Sequence, residues 1–143
     1  MADRYPPICA TMSEVYRWVE HTGEIELAIE ADSEREVFAD SVAALVDLLE
    51  IEGEATEPRV VEVTAPDRSA LLAAWLEELV FLIETQGFEP VALGELELGA
   101  DTVRAVVDGR PGEPPPLIKA VTYHRLAFEP SGSGYRATVV LDV

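Results

Sequence analysis

Glu24-Ile25-Glu26-Leu27-Ala28-Ile29-Glu30-Ala31 decides the reading of this chain: its odd positions are apolar and most of its even ones are glutamates. A period of two is the mark of a strand with one face on a core and the other in water. Before it, residues 15–20 read as a shorter strand, and His21-Thr22-Gly23 breaks the pattern between the two. After it, Asp32-Ser33 ends the strand and Ser33-Glu34-Arg35-Glu36 carries the pattern of a capping box. Val37, Phe38, Val42, Leu45, Leu48 and Leu49 then recur at helical spacing.

Further along, an acidic loop over 51–58 leads to a strand at 59–64. A second helix starts near Asp67 or Ser69, and Leu71, Leu72, Trp75, Leu76, Leu79, Leu82 and Ile83 make it apolar over more than half its circumference. Such a helix belongs between layers. Gly87 is its expected stop. Strands follow at 90–98, 102–108, 118–128 and 135–143, with an irregular segment at 109–116 and a hairpin loop at 130–134. The fold class is α+β: two helices packed on a mostly antiparallel β-sheet. The organisation is an N-terminal arm, 1–14, and one domain, 15–143.

The chain has 143 residues, with 10 Lys plus Arg against 28 Asp plus Glu, hence a net charge of −18. With 48% hydrophobic residues it can build a core, so it is no disordered acidic tail. No apolar run approaches the roughly 18 residues that span a bilayer, and the N-terminus lacks the apolar centre of a secretory signal. A cytoplasmic protein with no membrane association is expected. The single cysteine, Cys9, excludes an internal disulfide and a cysteine-based zinc cage. So much negative charge repels phosphate backbones and disfavours direct binding of RNA or DNA.

Three segments carry candidate chemistry. At His21-Thr22-Gly23-Glu24, a turn leaves a carboxylate at the mouth of the next strand, although spacing alone favours Glu24 as merely the first of the solvent-facing glutamates, with Glu26 and Glu30. At Val139-Val140-Leu141-Asp142-Val143, an aspartate interrupts an apolar strand beside the last residue. If this is the natural end, its terminal carboxylate lies close to Asp142, and such a pair favours a cation between them. Oxygen ligands suit calcium, magnesium or manganese rather than zinc. The alternative is a solvated end. In Lys119-Ala120-Val121-Thr122-Tyr123-His124, alternation places Val121, Tyr123 and Arg125 on one face and Ala120, Thr122, His124 and Leu126 on the other. His124 is readable as a proton carrier or as a structural histidine. No nucleophile motif or phosphate-cradling glycine loop is present, so no catalytic residue is assigned. Trp18 and Trp75 are either core or interface residues.

Together these segments resemble the archease family, the small acidic proteins that assist the RtcB-type tRNA-splicing RNA ligase. The family's His-Thr-Ala-Asp-hydrophobic signature is similar to His21-Thr22-Gly23-Glu24-Ile25; its two helices resemble 33–49 and 71–79; its Lys-Ala-Val-Thr-Tyr-His stretch is matched by 119–124; its ending is matched by 139–143. The resemblance implies a metal site, with calcium the expected ion, made by Glu24, Asp142 and the backbone oxygen of Val143. His21 would orient the Glu24 turn. It departs from the family at position 24, where Glu replaces Asp and moves the carboxylate outward by roughly 1.5 Å. Calcium tolerates such a shift better than magnesium. The resemblance also implies a non-catalytic, chaperone-like activator that promotes guanylylation and multiple turnover of an RtcB-type RNA ligase in tRNA processing and splicing. The ligase is then its protein partner, and RNA is met only indirectly. Two other readings use the same residues: a stand-alone metal-dependent hydrolase built on Glu24, Asp142 and a histidine, and an acidic chaperone-like binding module with no defined site.

Overall fold

The computed structural model describes residues 16–114 and 116–143; the 1–14 arm with Cys9, and Val15, lie outside the described residues. Seven strands and two helices run in the order β1 (Tyr16–His21), β2 (Glu24–Ala31), α1 (Glu34–Leu48), β3 (Glu57–Thr64), α2 (Arg68–Thr85), β4 (Phe88–Leu98), β5 (Thr102–Pro111), β6 (Ala120–Ser131) and β7 (Gly134–Asp142). Every strand pair is antiparallel. The strands divide into two sheets, β1-β2-β7-β6 and β3-β5-β4. The sequence pattern contains no sign of that division.

Local chemistry explains the element ends. Ser33 caps α1, its hydroxyl oxygen accepting from the Glu36 amide at 3.2 Å. The Glu36 carboxylate accepts from that same hydroxyl at 3.4 Å, so the reciprocal contact of the capping box is made to the Ser33 side chain. Asp67 caps α2, accepting from the Ala70 amide at 2.9 Å. These bonds lower the Asp67 pKa from its ordinary value, the Ala70 amide contributing most and the Ser69 hydroxyl next.

Both helices touch both sheets: α1 packs on β1, β2, β7 and β4, and α2 on β6, β3, β4 and β5. This is the interlayer position that the wide apolar surface of α2 requires. The core between the sheets is built by Trp18, Ile25, Leu27 and Ile29 from the first hairpin, Phe38 and Leu45 from α1, Trp75 and Leu76 from α2, and Val139 and Leu141 from β7. Both tryptophans are therefore core residues. The Trp75 indole N–H donates to Ser41 Oγ at 3.0 Å, and the Ser41 hydroxyl donates to the Phe38 carbonyl at 2.6 Å. Among the described residues, no helix is long and apolar enough to cross a membrane.

One expected irregular segment is corrected. Residues 109–111 extend β5, with Gly109 opposite Glu57 and Pro90, and Arg110 opposite Glu89. Glycine is required at 109 because a Cβ there would overlap the Phe88 ring and the Glu89 carbonyl.

Candidate functional site

The outer face of the four-stranded sheet brings the chain's beginning and end together. Thr22 and Gly23 close the β1–β2 hairpin, and Gly23 takes a φ of +72° that glycine adopts without strain. That turn sets His21 opposite Glu24. Glu24 is in turn opposite Asp142 on β7, and Asp142 is opposite Ala120 on β6. Ile25, Leu27, Val139 and Leu141 point into the core, so the alternation aims His21, Glu24 and Asp142 outward as one row. Side chains so opposed start from Cβ atoms about 4.5–5.5 Å apart. The chain's last residues are tied down on both sides: the Val143 amide donates to the Gly23 carbonyl at 3.1 Å, and the Lys119 amide to the Asp142 carbonyl at 2.8 Å. Glu24, Asp142 and Val143 therefore meet at one place.

The neighbouring row is Val19, Glu26, Val140 and Thr122. Here the strict alternation expected for 119–126 fails. Thr122 pairs with Val140, but the next partners are Ala127 and Thr138, so 123–126 bulge out opposite the single residue Val139. Arg125 sits in the bulge with a φ of +58°, a conformation rare for any residue but glycine or asparagine. Its guanidinium donates from Nη2 to Glu24 Oε1 and from Nε to Glu26 Oε1, each at 3.3 Å. His21 Nε2 lies 3.5 Å from the same Glu26 oxygen. Reaching from β6 to β2, Arg125 crosses the outer face of β7, where Val140 is fully buried although it lies outside the core cluster. Tyr123 goes the other way, toward Glu77 of α2. Although it is 55% exposed, partial desolvation first, then the Glu77 charge, raises its pKa from the ordinary value. The expectation that Tyr123 and Arg125 share a face is thus overturned by the bulge.

The sequence reading singled out Glu24, Asp142, Val143 and His21, and the structure gathers all four at one end of the sheet. It missed Arg125 as a member of the site and left Glu26 among the solvent-facing glutamates. The one available signal was the scarcity of positive charge, since an arginine near so many carboxylates finds one. His21 is placed beside Glu26 as well as opposite Glu24. His124 is exposed on the bulge, and its amide donates to Thr122 Oγ1 at 3.2 Å.

Whether these residues suit a metal turns on Glu24. Among the described residues, no three His, Cys, Asp or Glu side chains are grouped to hold an ion. The positive charge beside Glu24 is the guanidinium. In this arrangement the set does not fit a calcium ion, which demands six to eight oxygens at 2.3–2.6 Å.

At the opposite end of β2, Glu30, Asp32, Glu36, Asp40, Tyr16 and Tyr135 line a cavity of about 790 Å³. Asp40 has its pKa pushed up from 3.8 to about 6, by burial first and then by the charge of Glu36.

Comparison with known proteins follows the same order of elements. The model of the Archease protein family matches residues 16–143. The chain is 33% identical to protein archease of Methanosarcina acetivorans, over 90% of this chain and 95% of that one. It is 32% identical to protein archease of Archaeoglobus fulgidus, over 90% and 98%. A crystal structure from Thermotoga maritima, described as an archease and "possible chaperone", superposes with a TM-score of 0.65 at 23% identity, covering 87% of this chain and 94% of that one. The solution structure of protein 1598 from Methanobacterium thermoautotrophicum gives 0.64 at 22%, covering 90% and 98%. The two structures share the fold, the relatives share the sequence along nearly its whole length, and the chain belongs to the archease family.

Proposed function

We propose that this protein is a non-catalytic activator of an RtcB-type RNA ligase in the cytoplasm, acting in tRNA splicing or RNA repair by promoting guanylylation of the ligase and its repeated turnover. The observation that carries this reading is the direct opposition of Glu24 and Asp142 on an exposed sheet face, with Val143 tied to the Gly23 turn beside them. Family membership supports it. So does charge: a −18 protein is drawn to a basic enzyme surface built to hold RNA, and is repelled by the RNA itself.

The chain's own part is positional. The β1–β2 turn and the β6 lead-in hold the last strand in register, so the carboxylates are presented from a rigid sheet to the ligase's nucleotide or metal site. Because Arg125 holds Glu24, the activating role is assigned to the carboxylates themselves.

The test is multiple-turnover RNA ligation by the cognate ligase with GTP and manganese, alone, with this protein, and with Asp142→Ala. Stimulation by wild type, lost in the variant, is the expected result. A second reading, an acidic chaperone-like module, is favoured by the charge and by the description of the Thermotoga protein as a "possible chaperone". It requires salt-sensitive binding of basic clients that ignores Asp142→Ala. No stimulation by folded wild type would sink the activator reading.

A further inference from the structure

We propose that the groove between α2 and the open edge of β6 docks an extended, basic and apolar segment of a partner protein, which joins the four-stranded sheet as a further strand. The inference uses residues other than Glu24 and Asp142 and goes beyond the activator reading.

Three observations carry it. First, β6 is an outer strand of the β1-β2-β7-β6 sheet, so one side of its backbone has no strand partner among the described residues. Unpaired amides and carbonyls of this kind are what an added strand bonds to. The outer strands of the other sheet, β3 and β4, are blunted by Pro58 and Pro90. In β6 the one proline, Pro130, lies at the far end, and 120–122 pair regularly with β7 before the bulge begins.

Second, a groove runs beside that open stretch. Val80, Phe81 and Thr85 of α2 line it together with Ala120 and Val121, around a cavity of about 270 Å³. From Arg68 to Thr85 the helix exposes only Glu77, Phe81, Glu84 and Thr85. Phe81 is 50% exposed. A lone exposed apolar side chain is ordinary. This one sits in a groove next to unpaired backbone, with exposed Tyr123 beside Glu77 at one end.

Third, charge selects the occupant. Glu77 and Glu84 lie one helical turn to either side of Phe81, and neither is ion-paired among the described residues. Both line the groove, where Lys119 is the one cation among the lining residues. A second copy of the chain would set a net charge of −18 against −18, and a phosphate backbone is repelled in the same way. A lysine–apolar–lysine alternation is the complement. Side chains on one face of a strand recur at every second residue, so an apolar side chain on Phe81 brings a cation to each glutamate.

The experiment is an NMR titration of the isotope-labelled full chain with the peptide acetyl-TKTLTKT-amide. TKTSTKT keeps the charge and removes the apolar side chain. TKTLTKT with alternate backbone nitrogens methylated keeps every side chain and cannot form the strand ladder. Expected are amide shifts concentrated at 118–123 and 77–85, slower amide exchange along 120–122, and about tenfold weaker binding of each altered peptide. Glu77→Gln with Glu84→Gln is expected to weaken binding about three- to tenfold. Glu62→Gln with Glu97→Gln, the same charge change at exposed positions of the other sheet, should leave it unchanged. Phe81→Ser should match the loss seen with TKTSTKT; where melting shows that variant unfolded, the serine peptide on wild type reads the same contact. No shifts at about 1 mM peptide, equal binding of the three peptides, or an equal loss in the Glu62/Glu97 variant overturns the proposal. Shifts of the same amides with protein concentration alone, or on deletion of 1–14, would give the edge to a second copy or to the chain's own arm, and also overturn it. Ligase stimulation that depends on Asp142 is unaffected by any of these outcomes, so the two readings fail separately.

Discussion

Glu24 and Asp142 face each other across β2 and β7, although they come from opposite ends of the chain. Their backbones are held by the hairpin turn at Gly23 and by the amides of Val143 and Lys119. Their carboxylates are therefore set by strand register, while Arg125 pairs with Glu24 and with its neighbour Glu26.

Shortening the glutamate separates these two controls. Glu24→Asp keeps the charge but withdraws it from Arg125 by roughly 1.5 Å. Stability should change by less than about 1 kcal/mol, as for other exposed pairs. A loss of more than about 2 kcal/mol in urea unfolding would show that the Arg125 contact matters more to the fold than an exposed ion pair does.

The buried hydroxyl of Ser41 links two helices. It accepts from Trp75 and donates to the Phe38 carbonyl with no exposure to water. Ser41→Ala leaves the indole N–H unpaired in the core and is expected to cost about 1–3 kcal/mol. At this length each kcal/mol is worth about 3 °C, so melting should fall by roughly 3–9 °C. An unchanged melting temperature would show that the bond contributes nothing.

Asp40 makes stability depend on pH in the acid range. Its pKa is about 6 in the fold against 3.8 when unperturbed, so the folded state holds the proton more tightly. Between those values the native protein binds more protons than the unfolded chain, and stability falls as pH rises. Above about pH 6 the full penalty is present, roughly 1 kcal/mol after allowing for partial exposure. Asp40→Asn is expected to stabilise the protein at pH 8 and to leave it unchanged near pH 3. Urea unfolding at both pH values checks the sign; a larger gain at the lower pH would refute it.

Gly109 tests the extension of β5. A methyl group there meets the Phe88 ring and a backbone carbonyl that cannot yield cheaply. Gly109→Ala is expected to cost more than about 3 kcal/mol or to prevent folding. Gly132→Ala, at a hairpin tip with nothing within 4 Å, should cost only about 1–2 kcal/mol for its left-handed backbone. Similar losses in urea unfolding would show that the Phe88 contact is unimportant.

The parts of this fold that depend on neighbours in the chain were legible from residues alone. The alternation of 24–31 marks β2 to the residue, Ser33 and Asp67 mark the helix starts through bonds to amides three residues on, and Gly87 follows α2 with a φ of +62°. Each signal is local, because caps and turns satisfy the backbone within a few residues. The motif at 21–25 and the aspartate at 142 were legible as chemistry for a related reason. A carboxylate breaking an apolar pattern stands out wherever the strand ends up.

What only the tertiary structure decided is how those pieces share space. Gly109 and Pro111 read as loop residues, yet β3 and β4 flank Gly109, β4 pairs with Pro111, and the Phe88 ring fills the space that the glycine leaves. The split into two sheets depends on which edges the helices separate, and period-two patterning is the same in either sheet. The bulge at 123–126 turns Tyr123 toward α2 and Arg125 toward Glu24 and Glu26. Alternation determined that carboxylates line one face of β2. It could not determine which cation meets them, because that cation arrives from a strand two places away, across β7, out of a bulge that only the β6–β7 pairing reveals.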